Sequence, residues 1–187
     1  HPMVTGAMDM VMSGEFGNTA LCTMKLPPFK AGAILLEAIF TMSSPAPAAL
    51  QLHRYLPLTT IRVVVDNRKN DLSHILSDKH FNKLGKQVRR HNAQEFIRHT
   101  RGKIVAMIEQ AEQLAGKQEQ SIVDAASEQM QSMQNQELQR LKALAEVNPN
   151  IRQEEIDYLA TETDELRHHL QSSHIRLDAL RVAVVSE

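Results

Sequence analysis

The sequence predicts an α+β fold: a small, mainly antiparallel sheet with a long antiparallel helical hairpin inserted before its last strand. Three observations support this fold class. The stretch from Asn92 to Val147 contains no proline and repeats apolar residues every three or four positions, which is typical of a helix. Before it, short runs rich in β-branched residues alternate with turns that contain proline and glycine, which is typical of strands. The chain ends in a further β-branched run, Ile175–Ser186, which predicts a closing strand that returns to the sheet.

The residues before the long helix predict one short helix and four strands. Pro2 suits the first turn of a helix over Met3–Ser13, and Gly14 can end that helix in a left-handed conformation. The turn Pro27–Gly32, a loop rich in serine and proline, and a polar cluster then separate the strands. The predicted strands are Asn18–Leu26, Ala33–Thr41, Leu50–Tyr55 and Thr59–Val65. With the closing strand, the sheet has about five strands.

The helical part begins near Ser77 and contains one long helix that runs through Gly116. The apolar stripe keeps its phase across this glycine. A lone internal glycine costs about 1 kcal/mol, whereas burial of one leucine or isoleucine contributes about 1.5–3 kcal/mol. The sequence therefore predicts a single helix that ends at Asn148-Pro149-Asn150.

A second helix follows this short link. Asn150, with Gln153 three residues on, predicts the N-cap of this helix. Because the link is short, the two helices are predicted to pair antiparallel. A heptad pattern typical of coiled coils lines the second helix at Ile156, Leu159, Thr163, Leu166 and Leu170. We therefore expect a helix-and-sheet part (1–76), a helical part (77–174) whose hairpin tip lies near 148–150, and the C-terminal strand (175–187).

Composition indicates an ordinary globular chain. Apolar residues make up 42 % of it, and the formal net charge of −1 gives no overall attraction to nucleic acid. The single cysteine, Cys22, cannot form an internal disulfide, which favours a reducing, cytoplasmic setting. The apolar runs fall short of the roughly 20 residues that cross a bilayer, so no membrane partner is expected. The chain starts at His1-Pro2 without an initiator methionine, and we expect it to be a piece of a longer protein.

The near-neutral total hides a cationic stretch between Lys79 and Lys103, here called the basic segment. It contains a single carboxylate, Glu95. Four of its cations follow the helical spacing i, i+4, i+7 and i+11, namely Lys79, Lys83, Lys86 and Arg90. This spacing predicts one cationic helix face opposite apolar residues such as Phe81. Such a face can bind phosphates or an acidic protein surface, although a solvated helix face has the same pattern. The candidate binding residues are Lys79, Lys83, Lys86, Arg89, Arg90, Arg98, Arg101 and Lys103.

No motif predicts a catalytic, cofactor or metal site in this chain. The clustered histidines His168, His169 and His174 match no zinc-ligand pattern such as HExxH, so we interpret them as surface residues. The three Gly-Lys pairs lie within helical patterns and lack the spacing of a phosphate-binding loop. Cys22 lies in a predicted strand, where a small buried side chain is the simpler interpretation than a nucleophile.

Several phrases, spread over nearly the whole chain, resemble the C-terminal region of the RapA family, the bacterial RNA polymerase-associated ATPases of the Swi2/Snf2 class. The link between the two helices, Val147–Arg152, and the closing stretch, Arg176–Arg181, are more specific than the other matches. The matching phrases are His1-Pro2 with Ser13-Gly14, Gln51–Pro57, Val147–Arg152 and Arg176–Arg181.

The resemblance implies a non-catalytic C-terminal accessory domain of a cytoplasmic, nucleoid-associated transcription regulator that recycles RNA polymerase. In that family the helicase-like, DNA-dependent ATPase lobes precede this region and bind ATP and Mg²⁺, so no catalytic residue or cofactor is expected here. The implied partners are RNA polymerase core, DNA or RNA through the basic segment, and the ATPase lobes of the same protein. The alternative is a structural or oligomerisation helical module without polymerase or nucleic-acid contact. A small enzyme is a third hypothesis, but no motif supports it.

Overall fold

The computed structural model describes residues 19–27 and 29–187. The helix predicted over Met3–Ser13 lies outside the described residues. Within them, the strands are β1 (Thr19–Met24), β2 (Ile34–Ser43), β3 (Thr60–Asp66), β4 (Lys86–Gln87) and β5 (His174–Val185). The helices are α1 (Asp78–Leu84), α2 (Arg90–Val147) and α3 (Gln153–Gln171). This order confirms the predicted α+β class, with the helical hairpin of α2 and α3 inserted before the last strand.

The described strands form one sheet in the order β3-β2-β5-β1-β4. β2 pairs antiparallel with β3, and β1 pairs antiparallel with β4. β1 and β5 are parallel, with Leu21 opposite Val182, so the sheet is mixed. The N–H of Gly32 donates to the carbonyl of Val185 at 2.8 Å, which places the end of β5 beside the start of β2. A parallel pair needs a long crossover connection, and the helices between β1 and β5 are part of that connection.

The strand predicted over Leu50–Tyr55 is wrong. Two 3-10 turns, Ala48–Leu50 and Leu52–Arg54, occupy this stretch instead. Gln51 between them is left-handed, with φ 47° and ψ 39°, and so interrupts any extended conformation. A short apolar run does not by itself distinguish a strand from a helical turn. The fifth strand is β4, which lies inside the stretch predicted to be helical.

The chain divides into two compact units. The first unit takes in the described residues up to 41 together with 60–117 and 176–187. Its core lies where β1, β2, β3 and β5 meet α1 and the loop before α1. The core side chains are Cys22, Met24, Leu26, Leu35, Val64, Leu72, Leu76, Phe81, Ala183 and Val185.

The second unit comprises residues 42–59 and 118–175. The heptad predicted for α3 is confirmed at Ile156, Leu166 and Leu170, which are buried, whereas its positions Leu159 and Thr163 are half-buried. The prediction of one helix through Gly116 is also confirmed, because α2 is continuous across it.

Within the described residues, no helix has the length and apolar composition of a bilayer-crossing segment.

The predicted N-cap of the second helix of the hairpin is wrong by two residues. α3 begins at Gln153, with Arg152 as its N-cap. Asn148 closes a turn of its own, because its side-chain oxygen accepts from the N–H of Asn150 at 3.1 Å. Glu155 accepts from the N–H of Arg152 at 3.4 Å and so occupies the role predicted for Gln153. Asn150 is therefore part of the turn that Asn148 closes, and the N-cap position of α3 falls two residues later.

Candidate partner-binding surface

The basic segment lies on three consecutive elements. Lys79 and Lys83 are on α1, and Lys86 is in β4, where it pairs with Thr23 of β1. Arg89 follows β4, and Arg90 is the first residue of α2. The remaining candidates, Arg98, Arg101 and Lys103, are on the first turns of α2. The structure therefore places the candidates on one continuous stretch of the first unit.

The predicted single helix face is wrong. α1 ends at Leu84, and Gly85 is extended, with φ −70° and ψ 119°. A Cβ atom at Gly85 would lie 2.5 Å from the carbonyl oxygen of Phe81 and 3.3 Å from the Sγ atom of Cys22. Gly85 therefore allows the chain to pass close to the sheet and to join it as β4. As a result, Leu84 is 40 % exposed rather than part of a continuous apolar stripe.

The described cations of the segment face solvent. Every candidate is exposed except Arg90, whose side chain lies outside the description. In the described part of the chain, no ion pair joins these cations to a carboxylate, whereas ion pairs elsewhere involve Arg62, Arg140, Arg167 and Arg181. Exposed cations without partners are available to phosphates or to carboxylates of another molecule.

One buried carboxylate and two half-buried guanidinium groups hold α1 on the sheet, and the sequence predictions did not include them. Glu37 on β2 is almost fully buried, and its Oε1 atom accepts from the Nε–H of Arg62 on β3 at 2.6 Å. Its Oε2 atom lies 3.5 Å from the guanidinium of Arg181 on β5. Arg62 also donates to the carbonyl of Leu76, and Arg181 to the side-chain oxygen of Asn82 on α1. We call these three charged residues the Glu37 cluster.

The ring of Phe81 lies against both guanidinium groups of the Glu37 cluster. The Cζ atom of Arg62 is 5.6 Å from the ring centroid, and that of Arg181 is 5.9 Å from it. Phe81 is on α1, two residues before Lys83, and is itself buried. Cation–π contacts in partly desolvated sites contribute about 0.5–2 kcal/mol each. The cluster therefore fixes the helix that carries Lys79 and Lys83.

A signal for this cluster was present in the sequence. Glu37 interrupts a long apolar run, Arg62 stands among β-branched residues, and Arg181 lies in the closing strand. A charge in the middle of each of the otherwise apolar strands β2 and β3 suggests that these two charges meet, since buried charges are paired; Arg181 is one of three charged residues in β5 and gives no such signal. The strand order, with β2 between β3 and β5, was needed to show that they do.

Neither Cys22 nor the histidines near the end of α3 show the features of a catalytic or metal site among the described residues. Cys22 is buried, and this burial raises the pKa of its thiol; Arg181 lowers that pKa and Glu37 raises it further. A thiol with a raised pKa is a poor nucleophile at neutral pH. The carbonyl of His169 accepts from the hydroxyl groups of Ser44 and Ser173. Among the described residues, no group of three or more His, Cys, Asp or Glu could hold a metal ion.

Comparison with known proteins shows the family. The sequence profile described as RNA polymerase recycling family C-terminal matches residues 1–185. The chain therefore belongs to this family.

Relatives named RNA polymerase-associated protein RapA match the whole chain. That of Sodalis glossinidius is 36 % identical, that of Vibrio vulnificus 37 % and that of Photobacterium profundum 34 %, each over 186 residues. The alignments cover 100 % of this chain and 19 % of each relative. The chain thus spans about a fifth of the length of these relatives.

Proposed function

We propose that this chain is a non-catalytic partner-binding domain that acts in RNA polymerase recycling, and that its basic segment binds the phosphate backbone of DNA or RNA. The observation that carries the proposal is the stretch from Lys79 to Lys103, in which eight cations stand against one carboxylate. The described cations are exposed and unpaired, and the Glu37 cluster anchors the helix that carries the first two of them. Family membership supports the polymerase-related setting.

In this proposal, another region of the parent protein hydrolyses ATP. Swi2/Snf2-type lobes would bind ATP and Mg²⁺ there, and this domain would orient the nucleic acid or polymerase relative to those lobes. The Glu37 cluster supports a structural role, because Glu37 accepts from Arg62, Arg62 also donates to the loop before α1, and Arg181 donates to α1. The purified chain is accordingly expected to show no ATP hydrolysis.

Charge reversal tests the nucleic-acid contact. The variant K79E/K83E/K86E should bind a fluorescent DNA duplex and a single-stranded RNA more weakly than the unmodified chain. For each phosphate contact removed, the slope of log affinity against log salt should fall by about 0.9 on the duplex and by about 0.7 on the single strand. The control is K25E/K117E/K142E, which makes the same charge change at exposed positions outside the segment. Equal weakening by both variants, or no binding at low salt, would remove the nucleic-acid assignment.

A pull-down with RNA polymerase core tests separately whether the domain binds the polymerase. We expect the immobilised chain to retain the polymerase, and the free chain to compete with the full-length parent for it. If the chain retains polymerase but not nucleic acid, and K79E/K83E/K86E no longer retains polymerase, the basic segment instead meets an acidic protein surface. If the chain retains no polymerase while the parent does, the polymerase contact lies elsewhere in the parent.

The oligomerisation alternative makes a different prediction. Ile156, Leu166 and Leu170 are already buried within one chain, which leaves them unavailable to a second copy. Sedimentation equilibrium is therefore expected to give the monomer mass at all concentrations tested. A stable dimer would favour the structural module over the partner-binding domain.

A further inference from the structure

One end of the sheet carries an open cavity between two turns of the first unit, here called the turn cavity. The first turn, residues 29–33, precedes β2, and the second turn, residues 66–70, begins at the last residue of β3. The cavity is lined by 29–33 and 66–68, and its volume is about 440 Å³. Small-molecule sites usually enclose about 300–1,000 Å³. The turn cavity therefore has room for a small organic ligand.

Hydrogen bonds to the sheet fix both turns. β2 and β3 are antiparallel neighbours, so the start of β2 and the end of β3 lie at the same end of the sheet. The N–H of Asn67 donates to the carbonyl of Ile34 at 3.0 Å, which ties the second turn to β2. The N–H of Gly32 ties the first turn to the end of β5, and the N–H of Ala33 closes that turn on the carbonyl of Lys30 at 3.1 Å. The fold itself thus shapes the backbone around the turn cavity.

The second turn is organised by a buried carboxylate, that of Asp66. Its Oδ1 atom accepts from the N–H groups of Arg68 at 2.8 Å and Asn70 at 2.9 Å, and its Oδ2 atom accepts from the side-chain amide of Asn70 at 2.9 Å. Lys69 has a φ of 67°, which is uncommon for a residue other than glycine. Among the described residues, Asp66 is the one acid that lines the cavity, and both of its oxygens are engaged by the turn.

The cations that line the turn cavity lie on opposite sides of it. Lys30 belongs to the first turn and Arg68 to the second, and both are exposed. In the part of the chain that the structure describes, no ion pair joins either of them to a carboxylate. Between residues 19 and 70 the only acids are Glu37 and Asp66, and both are buried. An anion that enters the cavity therefore meets two available cations.

Further cations extend along the same end of the sheet. Lys25 follows β1, Lys69 lies in the second turn, and both are exposed. Lys86 of the basic segment pairs with the penultimate residue of β1. β4 is four strand spacings from β3, which is about 19 Å. Two exposed acids follow these elements, Glu187 after β5 and Asp71 after the second turn, and the carboxylate of Asp71 accepts hydrogen bonds within its own loop. Cations therefore outnumber exposed acids from the turn cavity to the basic segment.

The lining of the turn cavity matches two parts of one ligand. Lysine is a point charge that binds phosphate, and the guanidinium of arginine binds two phosphate oxygens at once. Phe29 also lines the cavity, and its ring is half-buried because it packs against the core of the first unit. Aromatic rings beside cationic grooves provide stacking surfaces for nucleic-acid bases. A nucleoside phosphate carries both a phosphate and a base.

We propose that the turn cavity binds a nucleoside phosphate, with the phosphate between Lys30 and Arg68 and the base against Phe29. The cations that continue toward Lys86 favour one unit of a single-stranded nucleic acid as the source of this ligand over a free nucleotide. The choice of source rests on the proposed function, whereas the cavity lies outside the basic segment and is tested separately.

Nuclear magnetic resonance of the whole ¹⁵N-labelled chain tests the site. The probes are uridine monophosphate, inorganic phosphate and uridine. The monophosphate should shift the N–H signals of Gly32, Asn67 and Arg68, and it should bind about tenfold more tightly than either of the other probes, which corresponds to about 1.4 kcal/mol. K30Q/R68Q should lose these shifts. F29L keeps an apolar side chain against the core, and it should reduce the affinity for the monophosphate to that for phosphate.

A pentauridylate probe distinguishes the two sources of the ligand. If the cavity holds one unit of a strand, the pentauridylate should bind at least about tenfold more tightly than the monophosphate, because its other phosphates meet the neighbouring cations. Mutation of Lys25 and Lys69 to glutamine should then remove this difference. Equal affinities for the two probes would support the site and would assign it to a free nucleotide.

Matched controls separate the turn cavity from the general surface and from the basic segment. K117Q/R176Q makes the same charge change at exposed positions outside the cavity and should leave the shifts unchanged. K79E/K83E/K86E should also keep the shifts caused by the monophosphate, even where it no longer binds a duplex. Circular dichroism checks that K30Q/R68Q and F29L retain their fold.

The outcomes for the two sites are distinguishable. Loss of duplex binding alone concerns the basic segment and leaves the turn cavity in place. Shifts that K30Q/R68Q retains, shifts that K79E/K83E/K86E abolishes, or equal binding of uridine and its monophosphate would each overturn the proposal for the turn cavity.

Discussion

The Nε–H group of Arg62 donates to the Oε1 atom of Glu37 at 2.6 Å, although the side chain of Glu37 is only 4 % exposed. The carboxylate lies on β2, between a cation on β3 and the guanidinium of Arg181 on β5. Phe81 of α1 then covers both cations. One buried carboxylate thus connects three strands and the helix that presents part of the basic segment.

Glu37→Ala should destabilise the chain strongly. Removal of one partner from a fully buried ion pair costs about 3–5 kcal/mol; the side chains of Arg62 and Arg181 are 23 % and 32 % exposed, so water can partly solvate them and about 1–3 kcal/mol is expected. Here two cations would lose the same carboxylate. Urea denaturation followed by circular dichroism measures the free energy of unfolding. E137A is the control, since Glu137 pairs with Arg140 on the exposed surface of α2. Similar midpoints for both variants would show that the cluster does not stabilise the fold.

Gly85→Ala and Gly116→Ala should have opposite effects. At Gly85 a Cβ atom would meet the carbonyl oxygen of Phe81 at 2.5 Å, so the variant must shift α1 or β4. At Gly116 no neighbouring atom lies within 4 Å of the added Cβ atom, and alanine favours a helix interior by about 1 kcal/mol. Thermal denaturation should therefore give a lower midpoint for G85A and a higher one for G116A. A G85A variant as stable as the unmodified chain would contradict this role of Gly85.

Tyr55→Phe should leave a buried donor without its partner. The amide of Gln134 would lose the hydroxyl that accepts from it at 3.0 Å. An unsatisfied buried polar group costs about 1–3 kcal/mol. The double variant Y55F/Q134L should recover part of this loss, because it removes both polar groups together. A double-mutant cycle in urea measures the coupling, and strictly additive effects would argue against the hydrogen bond.

Ser73→Ala should destabilise the chain in a pH-dependent manner. Burial raises the pKa of Asp71, but hydrogen bonds from the hydroxyl and N–H of Ser73 and the nearby His74 outweigh it, so this pKa lies below its ordinary value. A lowered carboxyl pKa contributes stability above the unfolded-state pKa of about 3.9, and this contribution is lost as pH falls through the folded-state value. The effect of S73A should therefore be larger at pH 7 than at pH 3.

A second part of the S73A effect should not depend on pH. The hydroxyl of Ser73 also accepts from the N–H of Val64 at 3.0 Å, and that bond is lost at every pH. Urea denaturation at the two pH values separates the two parts. S121A, at an exposed position of α2, is the control and should show no pH dependence of this kind. An S73A effect of equal size at both pH values would exclude the Asp71 contribution.

Some features of the fold depend on neighbouring residues, and others depend on contacts between residues that are distant in the sequence. The closing strand and the helix through Gly116 were predicted because β-branched density and apolar periodicity are properties of neighbouring residues. The break at Gly85 was not predicted, because it depends on a close approach to Cys22, far away in the sequence. For the same reason the spacing of the cations suggested one helix face, whereas the structure divides them among α1, β4 and α2.

The sequence by itself determined the fold class, the helical hairpin, the cationic character of residues 79–103 and, through its distributed phrases, the family. Each of these follows from composition or from spacing along the chain. Only the tertiary structure decided that the Glu37 cluster forms, that a two-residue strand replaces part of a helix, and that two 3-10 turns replace the strand predicted over Leu50–Tyr55. Those features depend on contacts between residues distant in sequence, whose free energies exceed the local preferences that the residues have on their own.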